Sequence, residues 1–215
     1  MYIYKKKAFT MAEVLITLGI IGVVAALTMP ALIAKYREQA LRTQFKKAYS
    51  AFSQALQKTA LIDYDGGDAG CQYYDDYTWQ VSNCAEFYQK FTQNMKVIKT
   101  CKGNVNECIP EYSYELIGNT CSGYSPANVQ NATVYVLQDG MIMIPYGGGY
   151  SDPRFLVDTN GKKGPNKPGW DLFDFEFIYS NGSYRLDGRA GSNTVTYCFA
   201  ASNDMLFETF DDIYK

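Results

Sequence analysis

The feature that most constrains this chain is an apolar segment near its start. Residues 14–34 form a run of 21 residues without a charged side chain, and the lysine run 5–7 lies just before it. As an α-helix, this run rises about 30 Å, the thickness of the hydrocarbon core of a bilayer. Because lysines beside such a helix favour the cytoplasmic side, the run predicts one membrane-spanning helix with the remainder of the chain exported.

Two ordinary kinds of segment share this layout, a cleaved secretory signal and a plain signal anchor. Glu13 fits neither well, because a carboxylate at the start of an apolar run is costly in lipid and usually has a function. A secretory signal also ends with a polar break and small residues at its cleavage site. In this chain the apolar run instead passes directly into an amphipathic pattern.

That amphipathic pattern continues the helix. Apolar residues recur every three or four positions, with lysine, serine and glutamine between them, which is typical of a helix with one buried face. The apolar stripe consists of Leu41, Phe45, Ala48, Tyr49, Phe52, Leu56 and Thr59. No glycine or proline interrupts residues 31–65. We therefore predict one helix from Phe9 to about Leu61, roughly 80 Å long.

The residues around the start of the apolar run resemble a known processing signal. Residues 5–15 read KKKAFTMAEVL, and over residues 5–40 the chain resembles the class III signal segment of type IV pilins and type II secretion pseudopilins. The resemblance implies that a prepilin peptidase cleaves between Ala8 and Phe9 and methylates the new N-terminus. This chain has Ala8 where the family usually has glycine.

The same resemblance assigns roles to three more residues. Glu13 matches the family's glutamate after the cut, and we predict that it pairs with the Phe9 amine of a neighbouring subunit, since lone charges are expensive in an apolar filament core. The alternative is that Glu13 only caps the helix N-terminus. Gly22 and Pro30 fall where many pilins have helix-loosening residues, and proline removes one backbone hydrogen bond.

All six cysteines lie beyond residue 70, which predicts disulfides formed in an oxidising compartment. Their spacings lack the close pairs of a zinc site. Six cysteines allow fifteen pairings. We favour Cys71–Cys84, Cys101–Cys108 and Cys121–Cys198, of which the second has the best support because a Gly/Asn segment separates its two members.

The composition argues against catalysis and against nucleic-acid binding. The chain has no histidine, which removes the commonest general base and the commonest metal ligand. Cleavage after Ala8 would remove three lysines and lower the formal net charge from −2 to −5, which opposes binding to a phosphate backbone. A hydrolase that uses Asp and Glu pairs is a third reading, but no such pair is marked by its spacing.

The part of the chain beyond the long helix predicts a small antiparallel sheet. A short helix is expected at about 84–95, and a disulfide-tied loop region follows it. The pairs Asp139-Gly140 and Asn181-Gly182 each lie between β-rich runs and predict two hairpins. Because the strands alternate apolar and polar residues, one face of the sheet should pack on the amphipathic half of the long helix. The predicted fold class is therefore α+β.

The loop at residues 158–171 contains a candidate metal site. Asp158, Asn160 and Asp171 would present hard oxygen ligands around a tight turn, as calcium loops do. The loop also resembles the Asp/Gly/Pro-rich turn of many pseudopilin heads, some of which bind calcium. Three lysines in the loop and the absence of an EF-hand spacing favour the alternative, a rigid turn held by side-chain-to-backbone bonds. No cofactor other than this calcium is predicted.

These features divide the chain into a leader (1–8), a transmembrane or filament-core helix (9–34), the amphipathic half of the same helix (35–62) and an exported head (63–215). The resemblance implies a structural, non-enzymatic subunit of a type IV pilus or type II secretion-like filament. It implies as partners other pilin or pseudopilin subunits, the prepilin peptidase and an inner-membrane assembly platform. The expected location is the inner membrane and then an extracytoplasmic filament or the cell surface. The alternative is a membrane-anchored extracytoplasmic binding domain that does not polymerise.

Overall fold

The structure, a computed structural model, describes residues 9–63, 84–110, 133–146, 154–167 and 169–189. The chain divides into two compact units, Met1–Ala40 and Leu41–Lys215. The favoured pairs Cys71–Cys84 and Cys121–Cys198 involve residues outside the described part, so both stay predictions.

A single helix, α1, runs over Met11–Asp63, which confirms the predicted long N-terminal helix. Its apolar side chains in the first unit are exposed; Leu15 is 67% exposed and Leu27 is 76% exposed. The helix continues through Pro30, although this residue has no N–H to donate to the carbonyl one turn earlier. Within the described part of the chain, this is the one helix long and apolar enough to cross a membrane.

The second unit contains one short helix and a six-stranded sheet. Helix α2 is Cys84–Gln93, close to its predicted bounds. The strands are β1 (Val97–Lys102), β2 (Thr133–Leu137), β3 (Ile142–Tyr146), β4 (Arg154–Asp158), β5 (Leu172–Ser180) and β6 (Ser183–Arg189). They lie in chain order and every neighbouring pair is antiparallel. Two short 3-10 helices, Val105–Glu107 and Gly161–Lys163, complete the described elements.

The two predicted hairpins are present. In the β5–β6 turn, Asn181 and Gly182 have φ angles of 54° and 77°, which is the pair of positive values that a type I′ turn requires. In the β2–β3 turn, Gly140 has a φ of 89°. Both turns therefore depend on residues that tolerate the left-handed region, and this is why the dipeptides predicted the hairpins.

The inner face of the sheet packs on the second half of α1, as predicted. The buried residues of the predicted stripe are Leu41, Phe45, Ala48, Phe52, Leu56 and Thr59. The ring centroids of Phe45 and Phe173 lie 4.6 Å apart, and those of Phe52 and Phe175 lie 5.1 Å apart. These edge-to-face contacts suit the charge distribution of aromatic rings. The remaining stripe residue, Tyr49, is half-buried and donates its hydroxyl hydrogen to the Leu186 carbonyl at 3.1 Å.

Helix α2 covers another part of the same inner face. Phe87 and Phe91 are buried one turn apart on this helix. The Phe91 ring lies 4.9 Å from the ring of Phe177 and 5.0 Å from that of Phe155, measured between centroids. The apolar stripe of α2 is therefore part of the core, as its helical spacing predicted.

The outer face of the sheet is also covered, which the strand alternation did not predict. Ile142, Ile144, Leu156 and Leu172 form a second buried cluster on this face together with Cys101, Val105 and Cys108. The structure contains the predicted Cys101–Cys108 disulfide. It closes the short loop whose Val105 side chain is buried against the sheet, so the disulfide-tied loop forms a third layer.

Two acidic residues of β5 lie on this outer face. The alternation of apolar and polar residues in β5 assigns Asp174 and Glu176 to a solvent-facing surface, yet they are only 1% and 5% exposed. A strand pattern shows which residues share a face, but it does not show whether later segments cover that face.

Candidate functional site

The start of α1 brings together residues predicted for processing and assembly. Phe9 precedes the helix and is 86% exposed. The backbone N–H and the Oγ1 hydroxyl of Thr10 both donate to Glu13 Oε2 at 2.8 Å, and the Glu13 N–H donates to Thr10 Oγ1 at 3.2 Å. This reciprocal pair is a capping box. Glu13 therefore caps the helix in the single chain, and Ala8 lies outside the described residues.

The capping box leaves part of the hydrogen-bonding capacity of the Glu13 carboxylate free. The hydrogen bonds from Thr10 reach Oε2 alone, while an ionised carboxylate can accept about four hydrogen bonds over its two oxygens. Capping within one chain and pairing with a cation from another chain are therefore compatible roles. The structure contains one chain, so the pairing with a neighbouring Phe9 amine stays a prediction.

Gly22 lies in the exposed half of α1. A Cβ added at Gly22, or at Gly19 one turn earlier, would meet no atom of the described residues within 4 Å, so packing against these residues does not require glycine at either position. Glycine in a helix interior costs roughly 1 kcal/mol relative to alanine. Glycine at these two positions therefore lowers the stability of the helix, while the loosening role of Gly22 and Pro30 stays a prediction.

The loop at residues 158–171 is held at its first turn by Asp158. This side chain is buried, and its Oδ1 accepts the backbone N–H of Asn160 at 3.1 Å and of Gly161 at 2.7 Å. These are the side-chain-to-backbone bonds of an Asx turn. The Asn160 Nδ2 donates to the Gly164 carbonyl at 2.9 Å, so the next residue also stabilises the turn.

Asp171 stabilises the other end of the loop through hydrogen bonds to the backbone. Its Oδ2 accepts the N–H of Asn166 and its Oδ1 accepts the N–H of Lys167, each at 2.7 Å. Its carbonyl accepts the Thr159 N–H at 2.8 Å, which ties the two ends of the loop together. Burial raises the pKa of the Asp171 carboxyl, although the backbone N–H donors act in the opposite direction.

The structure brings the three candidate calcium ligands into one turn. The side chain of Asn160 also forms a hydrogen bond with the Asp171 carboxylate. Asp158 is linked to the same residue, because its Oδ1 accepts the Asn160 N–H. Two nearby oxygens, Asn160 Oδ1 and Asn166 Oδ1, are buried and accept no hydrogen bond from the described residues. Those residues include no group of three or more Asp, Glu, Cys or His side chains able to hold a metal. A calcium ion would thus depend on amide oxygens as well as carboxylates.

Lys162 connects this loop to the disulfide-tied loop. Its Nζ donates at 2.7 Å to the backbone carbonyl of Glu107, which is the last residue of the short 3-10 helix Val105–Glu107. Lys99 Nζ lies 3.2 Å from Glu107 Oε2. One of the three loop lysines that argued against calcium therefore forms a hydrogen bond outside the loop.

Gly161 packs closely against the β2–β3 turn. Its φ is 63°, and a Cβ built on it would collide with the Gly140 carbonyl oxygen. Two turns that carry Asp-Gly or Asn-Gly signals thus pack backbone against backbone. Only glycine provides both the conformation and the space.

Sequence reasoning considered that Glu13 caps the helix but missed its reciprocal pairing with Thr10, although the signal for this capping box was present. Thr10 and Glu13 have the S/T-x-x-E spacing that defines this motif, directly before a strongly apolar run. The contacts of Gly161 and Lys162 had no comparable signal, because their partners lie far away in the sequence.

Comparison with known proteins identifies the N-terminal segment. The family described as "Prokaryotic N-terminal methylation motif" matches residues 3–29, so this segment carries the prepilin-type signal of type IV pilins and pseudopilins. The match includes Ala8, Phe9, Glu13 and Gly22, and it ends one residue before Pro30. No curated protein and no solved structure matched the chain.

The packing of Gly161 generates a stability prediction. Gly161→Ala should destabilise the head by about 2–4 kcal/mol, since an alanine there combines an unfavourable positive φ with overpacking against Gly140. Gly103→Ala is the matched control, because Gly103 has a φ of 81° and open space around it, and about 1–2 kcal/mol is expected from backbone strain alone. Denaturant unfolding of the two variants measures the difference. Equal losses would show that the Gly161–Gly140 approach contributes nothing.

Proposed function

We propose that this protein is a subunit of a type IV pilus or type II secretion-like filament, assembled through the first half of α1 after cleavage before Phe9. The observation that carries the proposal is the methylation motif at residues 3–29, which lies on a helix whose apolar side chains are exposed in the single chain. Exposed apolar surface of this extent marks contact with lipid or with partner chains. The membrane covers it before assembly, and neighbouring α1 helices cover it afterwards.

The charged groups at the start of α1 set how neighbouring helices align. Cleavage would create an amine on Phe9 in a surrounding that is otherwise apolar, where an unpaired charge is costly. A Glu13 carboxylate from the next subunit would neutralise this amine, and breaking such a pair would leave one buried charge uncompensated. Among axial positions, the one that aligns the two groups is therefore favoured.

The exported head supplies the outer surface of the filament. The prepilin-type signal and the long apolar helix fit membrane anchoring with an exported head, and the Cys101–Cys108 disulfide suits an oxidising compartment. The partners implied by the motif are other subunits of this type and the prepilin peptidase. An inner-membrane platform would extract the subunit, with Gly22 and Pro30 easing local loosening of the helix.

The N-terminal peptide tests processing. Trypsin acting on an unprocessed chain cuts after Lys7 and yields the peptide 8–35, whereas a processed chain yields the peptide 9–35 with a methylated Phe9. Mass spectrometry distinguishes the two peptides by one alanine and one methyl group. We expect the methylated peptide when a prepilin peptidase is present and the longer peptide when that enzyme is inactive. An Ala8→Gly variant should raise the processed fraction.

A chain that keeps Ala8 in the presence of an active peptidase would contradict processing. It would favour the membrane-anchored domain that does not polymerise. Processing without filaments would separate the two parts of the proposal, because the signal would then be functional and the assembly role wrong.

Variants of Glu13 and Thr10 test the assembly role separately from helix capping. Thr10→Val removes the hydroxyl of the capping box and weakens the cap by about 1 kcal/mol, whereas Glu13→Gln removes the charge but keeps a side-chain oxygen that can accept the Thr10 N–H. We expect Glu13→Gln to insert normally and to lose most filaments, whereas Thr10→Val assembles normally. Electron microscopy of surface filaments, with immunoblots of the membrane fraction, measures both steps. Equal assembly by both variants would limit Glu13 to capping.

We also propose calcium binding at the 158–171 loop. Its support is the convergence of Asp158, Asn160 and Asp171 on one bend, with two buried amide oxygens that accept no hydrogen bond from the described residues. A cation there would offset the charge of the buried Asp171 carboxylate. Calcium suits such a mixed set of carboxylate and amide oxygens better than magnesium does.

Thermal unfolding tests this calcium site. At a hundred times its dissociation constant, calcium should add about 2.7 kcal/mol of stability and raise Tm by several degrees, while magnesium should not. Asp171→Asn should abolish the calcium shift. Asp187→Asn should keep it, because Asp187 is a partly exposed carboxylate on β6, outside the loop. An unchanged Tm on titration with calcium would leave the loop as a rigid turn.

A further inference from the structure

The second unit contains a groove that neither processing nor assembly uses. It lies between the second half of α1, the turn after α2 and the β2–β3 turn, and its volume is about 490 Å³. The apolar floor consists of Ala51, Ala55, Met95, Leu137 and Met141. We refer to it as the α1–hairpin groove.

The groove follows one stripe of α1. Lys47, Ala51, Ala55 and Lys58 line it, and their spacing of three and four places them along one side of the helix. Eleven residues of rise give a length of about 16 Å. An extended peptide of about five residues has this length.

The charged side chains that line the groove are three lysines and one aspartate. Lys47 Nζ lies 3.0 Å from Asp139 Oδ2, so that lysine is already paired. The other two, Lys58 and Lys96, are exposed, and neither ammonium group has an ion-pair partner in the described part of the chain. In a protein of net charge −2, the groove is therefore locally positive and complements an acidic group.

The polar side chains of the groove present hydrogen-bond acceptors. Asn94 Nδ2 donates to Thr59 Oγ1 at 2.8 Å, and Gln54 Nε2 donates to Ser50 Oγ at 2.9 Å. Because both side-chain NH2 groups already donate within the chain, the side-chain carbonyl oxygens of Asn94 and Gln54 are the groups that can accept a hydrogen bond from a ligand. A peptide backbone supplies N–H donors at regular intervals, whereas a simple aliphatic anion has none.

We propose that the α1–hairpin groove binds an extended acidic segment of a partner protein chain. An acidic side chain of that segment lies between Lys58 and Lys96, its backbone N–H groups donate to Asn94 and Gln54, and its apolar side chains pack on the floor. The two methionines, Met95 and Met141, allow that floor to adapt to different apolar side chains. The inference holds for a filament subunit and for a non-polymerising anchored domain alike.

The test uses the full chain in nanodiscs of zwitterionic lipid. Three fluorescein-labelled, end-blocked pentapeptides serve as probes, in which leucine alternates with glutamate, glutamine or lysine. Fluorescence anisotropy should show the glutamate peptide binding about tenfold more tightly than the glutamine peptide, with the difference decreasing at high salt. The lysine peptide should bind least.

Charge-reversal variants assign the binding to this groove. Lys58→Glu combined with Lys96→Glu should weaken binding of the glutamate peptide by about tenfold or more and should strengthen binding of the lysine peptide. Lys102→Glu combined with Lys163→Glu is the matched control, because these lysines are also exposed but lie outside the groove. Ala51→Phe should weaken binding of all three peptides, because the larger side chain would occupy the space above the apolar floor.

Two results would overturn the proposal. One is equal binding of the glutamate and glutamine peptides, or equal effects of the groove and control variants. The other is binding of dodecanoate, lost in Lys58→Glu/Lys96→Glu, without binding of any peptide. That second result would assign the groove to aliphatic anions. Circular dichroism of each variant checks that the head remains folded, so a loss of binding cannot arise from unfolding.

Discussion

The head depends on the packing of the second half of α1 against the inner face of the sheet. Phe45 and Phe52 are fully buried there against rings of β4 and β5, and full burial of one such side chain stabilises by about 1.5–3 kcal/mol. The first half of the same helix is apolar on all sides, and its side chains have no such partner among the described residues of its unit. One helix thus provides the core of the head and a segment that needs lipid or other chains around it.

Much of this architecture could be predicted, because local patterns determine it. The uncharged run and the stripe from Leu41 to Thr59 predicted α1, and Asn181-Gly182 predicted a turn whose positive φ values the structure contains. The Cys101–Cys108 pair was favoured as a local loop with a Gly/Asn segment between its two members, and it is present. In each case the residues that form the contact lie within one element or one loop, so spacing alone was informative.

Contacts between distant segments could not be predicted in the same way. Asp174 and Glu176 are buried, although their alternation in β5 is that of a solvent-facing side. The α1–hairpin groove is assembled from three separate segments, and no single one of them marks it. The predicted site residues show the same limit: Asp158, Asn160 and Asp171 lie within one loop of this chain, while the partner of Glu13 in a filament belongs to another chain.

The most direct test of the filament account is an electron cryomicroscopy reconstruction of filaments from cells that express this chain with a prepilin peptidase and an assembly platform. The account predicts α1 helices packed in the filament core, with the Phe9 amine about 3 Å from the Glu13 carboxylate of a neighbouring subunit. A core in which Glu13 contacts only its own Thr10, as in the single chain, would contradict the pairing. Filaments that lack this chain would contradict the account as a whole.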